Sequence, residues 1–285
     1  MIQFATAVTS WVGAKSPTRD LALSQQVASG AAAAIAAVYQ APIAGVFFAI
    51  EIVLGEWAWK DVLPLLMASL FGWAVSRLFL GPGPLFPVAG SLHLTLGLLW
   101  ILPFAFLFGM SGPVYQKILH YSRVARRLPY ALMWSALLVG LLSIVEPRVW
   151  GNGDAALASV LQSNATLIGV VSLLAFRFVA TTACVGTGTA GGVFTPTLFL
   201  GASLGVASAH LLHCQEPLIF GVCGMGLLMA AVTHAPFMAA LISVELTGQW
   251  QLLPVIVPCT LIASYIARAI SRTSLYGLAS PQPAE

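Results

Sequence analysis

The chain alternates long apolar stretches with short polar breaks. Stretches free of charged residues run over 21–50, 78–116, 128–145, 178–215, 217–244 and 246–267. A straight helix needs about 20 apolar residues to cross a bilayer, so several stretches are too long for one crossing. They are also too punctured by Gly and Pro for two clean ones. Breaks are predicted at Ala41-Pro42, Gly81-Pro82-Gly83-Pro84, Ser111-Gly112-Pro113 and Ala235-Pro236, because Pro removes a helical hydrogen bond and clashes with the preceding turn. The pattern predicts tilted, kinked and half-crossing helices of unequal length. Irregular backbone survives at membrane depth only where protein or a water-filled cavity satisfies it, so the breaks themselves point to a pathway.

Composition agrees. Of 285 residues, 59% are hydrophobic and 7% are charged, against about 25% charged in a soluble domain. That excludes a cytosolic enzyme, a secreted disulfide scaffold and a disordered chain. A net charge of +3 with scattered basic residues gives no reason to expect nucleic acid as a partner. Cys184, Cys214, Cys223 and Cys259 lie in apolar stretches without CxxC spacing and read as small buried hydrophobes. Basic residues cluster once, at Lys117, Arg123, Arg126 and Arg127, which marks a cytoplasmic loop by the positive-inside rule. The segment 146–154, with Glu146, Arg148 and Asp154, is balanced and is expected on the other side. With a short polar tail at 280–285, no regulatory domain is expected after the last span.

One internal repeat is legible. Ala36-Ala37-Val38, Ala41-Pro42 and Glu51 recur 194 residues later as Ala230-Ala231-Val232, Ala235-Pro236 and Glu245, and Gly30 matches Gly224 at the same offset. Repeated halves with broken helices are typical of transporters and channels, with the ion site between the repeats. The second copy is preceded by a Gly-rich loop whose counterpart falls at or before Met1. The first repeat is therefore expected to lack its front end.

That loop reads Gly186-Thr187-Gly188-Thr189-Ala190-Gly191-Gly192-Val193-Phe194-Thr195-Pro196. Its first six residues fit GxGxxG, but a dinucleotide site needs a preceding strand and an acid about 20 residues on. The surrounding segment 178–215 is uncharged. The same physics works better in a membrane. Glycines let backbone approach an ion, Pro196 fits the first turn of a helix, and the free N–H groups of that turn attract an anion. No Lys or Arg is close in sequence, which suits weak binding in a conduction path. A Gly-rich packing turn is the other reading of these residues.

Gly186-x-Gly188-x-x-Gly191-Gly192-x-Phe194-x-Pro196 resembles the GSGxxGGxFxP motif of the CLC family of chloride channels and proton-coupled chloride transporters, with Thr187 in place of Ser. Gln40-Ala41-Pro42 and the stretch to Glu51 are similar to the family segment after its gating loop, and Ser274-Leu275-Tyr276 resembles its tyrosine segment. The resemblance covers essentially all 285 residues and roughly the C-terminal two-thirds of the family's membrane domain. It implies an all-α, multi-span, inverted-repeat fold: one membrane domain over 1–285, with an incomplete first repeat over about 1–125 and a second over about 126–279. It also implies chloride transport, channel-type or proton-coupled, in a homodimer with one pore per subunit. No enzyme chemistry, cofactor or metal is expected, and the setting is a bacterial inner membrane.

By the same resemblance, the amides of Val193 and Phe194 and the hydroxyl of Tyr276 bind the central anion. Gly188, Gly191, Gly192, Thr195 and Pro196 shape the loop. The family's GSGIP and GREGP loops are absent, and Met1-Ile2-Gln3-Phe4 resembles what directly follows GREGP. The anion site and gate are therefore expected to be incomplete, and a non-conducting remnant or dimerising subunit is the alternative. Aligned through Ala41-Pro42, Glu51 falls one position before the family's proton-relay glutamate and Ile52 falls on it. A proton role does not transfer to Glu51. Glu51 and Glu245 are read instead as helix-end carboxylates paired with a base or a helix N-terminus. Arg177 either raises the local potential for an anion or pairs with a carboxylate such as Glu51. His210, His213 and Cys214 mark an aqueous helix end.

Overall fold

The computed structural model describes residues 2–15, 23–81, 83–88, 101–162, 165–189, 191–214 and 216–276, with the side chains of 12–15 left aside. Met1, Pro82, Ala190 and the tail 280–285 lie outside the described residues. Every regular element described is helical. In order they are α1 (Ile2–Lys15), α2 (Leu23–Tyr39), α3 (Pro42–Phe48), α4 (Trp59–Leu80), α5 (Ile101–Ser122) and α6 (Ala131–Val145). Then follow α7 (Asp154–Val160), α8 (Leu167–Thr187), α9 (Phe194–Leu211), α10 (Pro217–Thr233), α11 (Pro236–Thr247) and α12 (Leu253–Ile270). A π-helical turn, Ala49–Leu54, continues α3, and a 3₁₀ turn, Arg123–Arg127, ends α5.

Four of the described helical runs are long and apolar enough to cross a membrane: Trp59–Leu80, Leu167–Thr187, Phe194–Leu211 and Trp250–Ile270. Others fall short. The 12 residues of α11 reach about 18 Å at 1.5 Å per residue, against a hydrocarbon core of about 30 Å. Helices of unequal length arise where the sequence breaks them. α10 is buried from Leu218 to Thr233 and forms the centre with α9 and α11. Around it, α4 and α6 turn large apolar side chains outward, among them Met67, Phe71, Leu78, Leu137 and Ile144. A polar-free outer face of this kind needs lipid, and the protein is an integral membrane protein.

α9 and α10 cross at near backbone contact. A Cβ on Gly205 would overlap the Phe220 carbonyl oxygen, and one on Gly224 would overlap that of Gly201. Small residues at such a crossing let dispersion act between helix backbones.

The repeat is structural as well as textual. α2, α3 and α4 begin at 23, 42 and 59, and α10, α11 and α12 begin 194 residues later at 217, 236 and 253. The breaks match in detail. Gln40 and His234 take left-handed φ of 53° and 61°. Ala41 (φ −121°, ψ 78°) and Ala235 (φ −119°, ψ 79°) then turn the chain into a helix that starts on Pro.

One predicted break is absent. Ser111-Gly112-Pro113 lies inside α5, which runs unbroken to Ser122. Gly112 sits on the backbone of Ala231, where a Cβ would come within 2.9 Å of the carbonyl oxygen. Gln116 of the next turn donates to the Val232 carbonyl at 2.6 Å. Packing against α10 lets the helix continue through the proline. The balanced segment after α6 carries an exposed ion pair, Arg148 to Glu146 at 2.7 Å. The hydrogen bond from Arg148 holds the Glu146 carboxyl below its ordinary range.

Candidate functional site

The Gly-rich loop joins two helices. α8 ends at Thr187, and Gly188 takes φ 83° as its left-handed C-cap. No strand precedes the GxGxxG stretch, so the dinucleotide geometry is missing. Gly186 rests on the Ser122 carbonyl, where a Cβ would come within 2.6 Å. The chain then turns through Gly191 and Gly192, both exposed, and enters α9 with Val193 as N-cap and Phe194 as the first helical residue. The first N–H groups of a helix have no acceptor within it, and Pro196 has no N–H to offer. That leaves the amides of Val193, Phe194 and Thr195 as the donors of this turn, with the positive end of the helix dipole behind them.

The other predicted donor arrives from the far end of the chain. The Val232 carbonyl, near the end of α10, faces a position four residues on that is Pro236 and cannot donate. It accepts instead from Leu275 N–H at 3.0 Å and from Gln116 Nε2 at 2.6 Å. Anchoring Leu275 sets Tyr276 beside Phe48, edge-on, with ring centroids 5.9 Å apart. Phe48 meets Phe194 at 6.2 Å, again edge-on. Tyr276 and Val193 pack on the same buried cluster. One aromatic side chain, Phe48, thus touches the rings of both Phe194 and Tyr276.

Three further residues join the site that spacing did not single out. Tyr39 packs against Phe194 with centroids 4.9 Å apart, and its hydroxyl lies 3.0 Å from Thr195 Oγ1. Asn152 Nδ2 donates to the same oxygen at 2.9 Å. Thr195 is therefore tied to α2 on one side and to the 150–153 loop on the other. Tyr39 and Phe48 lie within the repeated 36–51 stretch without matching any of its quoted motif positions, and Asn152 comes from a segment with no motif. The one available signal was a tyrosine placed directly before the Gln40-Ala41-Pro42 break.

Glu51 and Glu245 have symmetric partners. Glu51 accepts from the amides of Phe237 at 3.2 Å and Met238 at 2.8 Å. Glu245 accepts from Ile43 at 3.1 Å and Ala44 at 2.7 Å. Each carboxylate closes the N-terminus of the opposite repeat's short helix, where it satisfies orphan amides and complements the dipole.

Arg177 does not pair with Glu51. It is 4% exposed, and its Nη1 donates to the carbonyls of Val149 at 2.6 Å and Gly151 at 3.1 Å. The Val149 carbonyl is free at the end of a short 3₁₀ turn, Pro147–Val149, and Gly151 lies in the loop after it. Cations distant in sequence are also brought close in space: a Cβ on Gly188 would lie 3.1 Å from Arg126 Nε. His210, at the last turn of α9, holds the Ala165 carbonyl at 2.9 Å through Nε2. The four cysteines are free thiols.

The chain matches the family model described as "Voltage gated chloride channel" over residues 1–268. It is 35% identical over 263 residues to the voltage-gated ClC-type chloride channel ClcB of Shigella flexneri and 34% identical over 266 residues to that of Salmonella dublin. Each match covers 88% of this chain and 63% of the relative. Among solved structures, a slow cyanobacterial Cl-/H+ antiporter superposes with a TM-score of 0.86 at 25% identity, covering 98% of this chain and 69% of the other. A CLC-type fluoride/proton antiporter gives 0.80 at 25% identity, covering 97% and 70%. On its motifs, its helix order and the family match over nearly its whole length, the chain belongs to the CLC family of voltage-gated chloride channels.

Proposed function

We propose that the protein moves chloride across a membrane, with a partly dehydrated anion held between the amides of Val193 and Phe194 and the hydroxyl of Tyr276. One observation carries this reading: Phe48 brings the start of α9 and the C-terminal tyrosine onto one aromatic cluster. Neutral donors aimed at an ion in a low-dielectric site hold it without trapping it. Gly188, Gly191 and Gly192 shape the approach, and Thr195 and Pro196 fix the first turn of α9. The chain spans 63% of the length of the ClcB relatives it matches, so the activity of a whole protein enters as part of this proposal.

Ile52 carries no proton, which favours passive conduction over tight proton exchange. Exposed apolar faces on α4 and α12 support association of two copies, and the bacterial relatives support an inner-membrane setting. The test is chloride efflux from proteoliposomes, with and without a pH gradient. Efflux that Tyr276→Ala reduces at least about tenfold, the loss of one donor of about 1.4 kcal/mol or more, supports the site. Efflux unchanged by that substitution overturns it. Uphill chloride movement driven by a pH gradient would overturn passive conduction and leave the site intact.

A further inference from the structure

A cavity of about 350 Å³ lies behind the Gly-rich loop, bounded by α6, α8, the 149–152 segment and the start of α9. Gly191 and Gly192 line its mouth and are exposed, so it opens to the surface. Arg177 lines its wall, 4% exposed, and its Nε finds no hydrogen-bond partner. No ion pair to Arg177 exists among the described residues. Asp154 faces it from beyond ion-pair distance, and Cys184 and Tyr115 are its other ionisable neighbours. A guanidinium on the wall of an open cavity, with a buried Nε that lacks an acceptor and no ion pair among the described residues, is an anion-attracting group.

We propose that this cavity is a second anion site, which takes a small inorganic anion that keeps part of its water shell and is held by Arg177. Size sets the hydration state. One water occupies roughly 30 Å³, so 350 Å³ cannot wrap a bare halide as backbone amides can. It accommodates the ion with several waters, which bridge to Thr181, Thr189 and the loop backbone. The site is also wired to α9. Arg177 holds the carbonyls of Val149 and Gly151, and Asn152 between that loop and α9 holds Thr195. An anion that draws on Arg177 therefore acts on the segment that clamps the residue after Phe194. The ligand class follows from a cavity-lining cation without a direct ion pair among the described residues and does not rest on the transport reading.

Cys184 lines the same cavity and is half-buried, whereas Cys223 and Cys259 are buried. With Cys214→Ser, Cys184 becomes the accessible thiol and reports on the cavity without any flux measurement. In detergent at constant ionic strength, a sulfonate-bearing methanethiosulfonate reagent should label Cys184 about tenfold faster than a trimethylammonium one, after correction for a free thiol, as expected of a focused positive field. Replacing gluconate by nitrate or chloride should slow the anionic reagent saturably. Arg177→Gln should remove both effects, Arg177→Lys should keep the charge preference, and Tyr276→Ala should leave the protection in place. Equal rates for the two reagents, or no saturable protection with Arg177 present, would mean a cavity filled by water alone and would overturn the proposal. Protection lost with Tyr276→Ala would overturn it as well, by merging this site with the one at Phe194. If Arg177→Gln does not fold, the nitrate-for-gluconate exchange on the Arg177 protein decides the matter alone.

Discussion

Glu51 and Glu245 show how a single side chain fixes the meeting of two broken helices. Each accepts two backbone amides of the other repeat, at 2.7–3.2 Å. Hydrogen bonds to a charged group contribute about 1.5–3 kcal/mol, and bare amides left behind cost more. Glu245→Ala should therefore lower the thermal unfolding midpoint in detergent clearly. Glu51→Ala should do the same by less, because Glu245 is 8% exposed while Glu51 is only half-buried. Equal midpoints for both variants and the parent protein would show that the carboxylates carry no load between the repeats. The pairing was legible as a type, since two scarce acids shared one offset. Which amides they would meet was not, because those contacts span 186–202 residues.

At the scale of elements, the end of α10 places Tyr276, the tyrosine proposed as an anion donor. The Val232 carbonyl anchors Leu275, and Tyr276 follows from it. Leu275→Pro removes the N–H and should reduce chloride efflux as far as Tyr276→Ala does. Leu275→Ala keeps the N–H and should retain most of the efflux. Equal efflux from the two would detach Tyr276 from this anchor. The α9–α10 crossing offers a stability test of the same kind. Gly205→Ala forces a methyl group onto the Phe220 carbonyl and should destabilise by about 1–3 kcal/mol. Gly140→Ala on α6, with nothing within 4 Å, should be neutral or slightly stabilising, as a helical Gly-to-Ala change in open space is. Sequence marked the true breaks at Ala41-Pro42 and Ala235-Pro236, where a left-handed residue precedes the proline. It marked Pro113 wrongly, because a proline in a packed helix is tolerated when neighbours hold the turn.

Across the whole molecule, the reciprocal carboxylate contacts define the symmetry. Residue 51 meets 237 and 238, and residue 245 meets 43 and 44, the same positions shifted by 194. Contacts that exchange in this way require a pseudo-two-fold axis, as in an isologous interface; a translation or an open screw would not return them. The repeat, the Gly-rich loop and Tyr276 were each readable in the chain. What joins them was not: Phe48, Tyr39 and Asn152 reach the start of α9 only through tertiary packing across 43–156 residues. Neutral donors at that junction, rather than full cations, are the physical core of the transport reading, and Arg177 and Arg126 stand behind the loop. Bromide scatters anomalously and substitutes for chloride. In crystals of the protein grown with bromide, an anomalous peak should lie within hydrogen-bond distance of the Val193 and Phe194 amides and the Tyr276 hydroxyl. Bromide found only beside arginine or lysine side chains, with none at that junction, would contradict it.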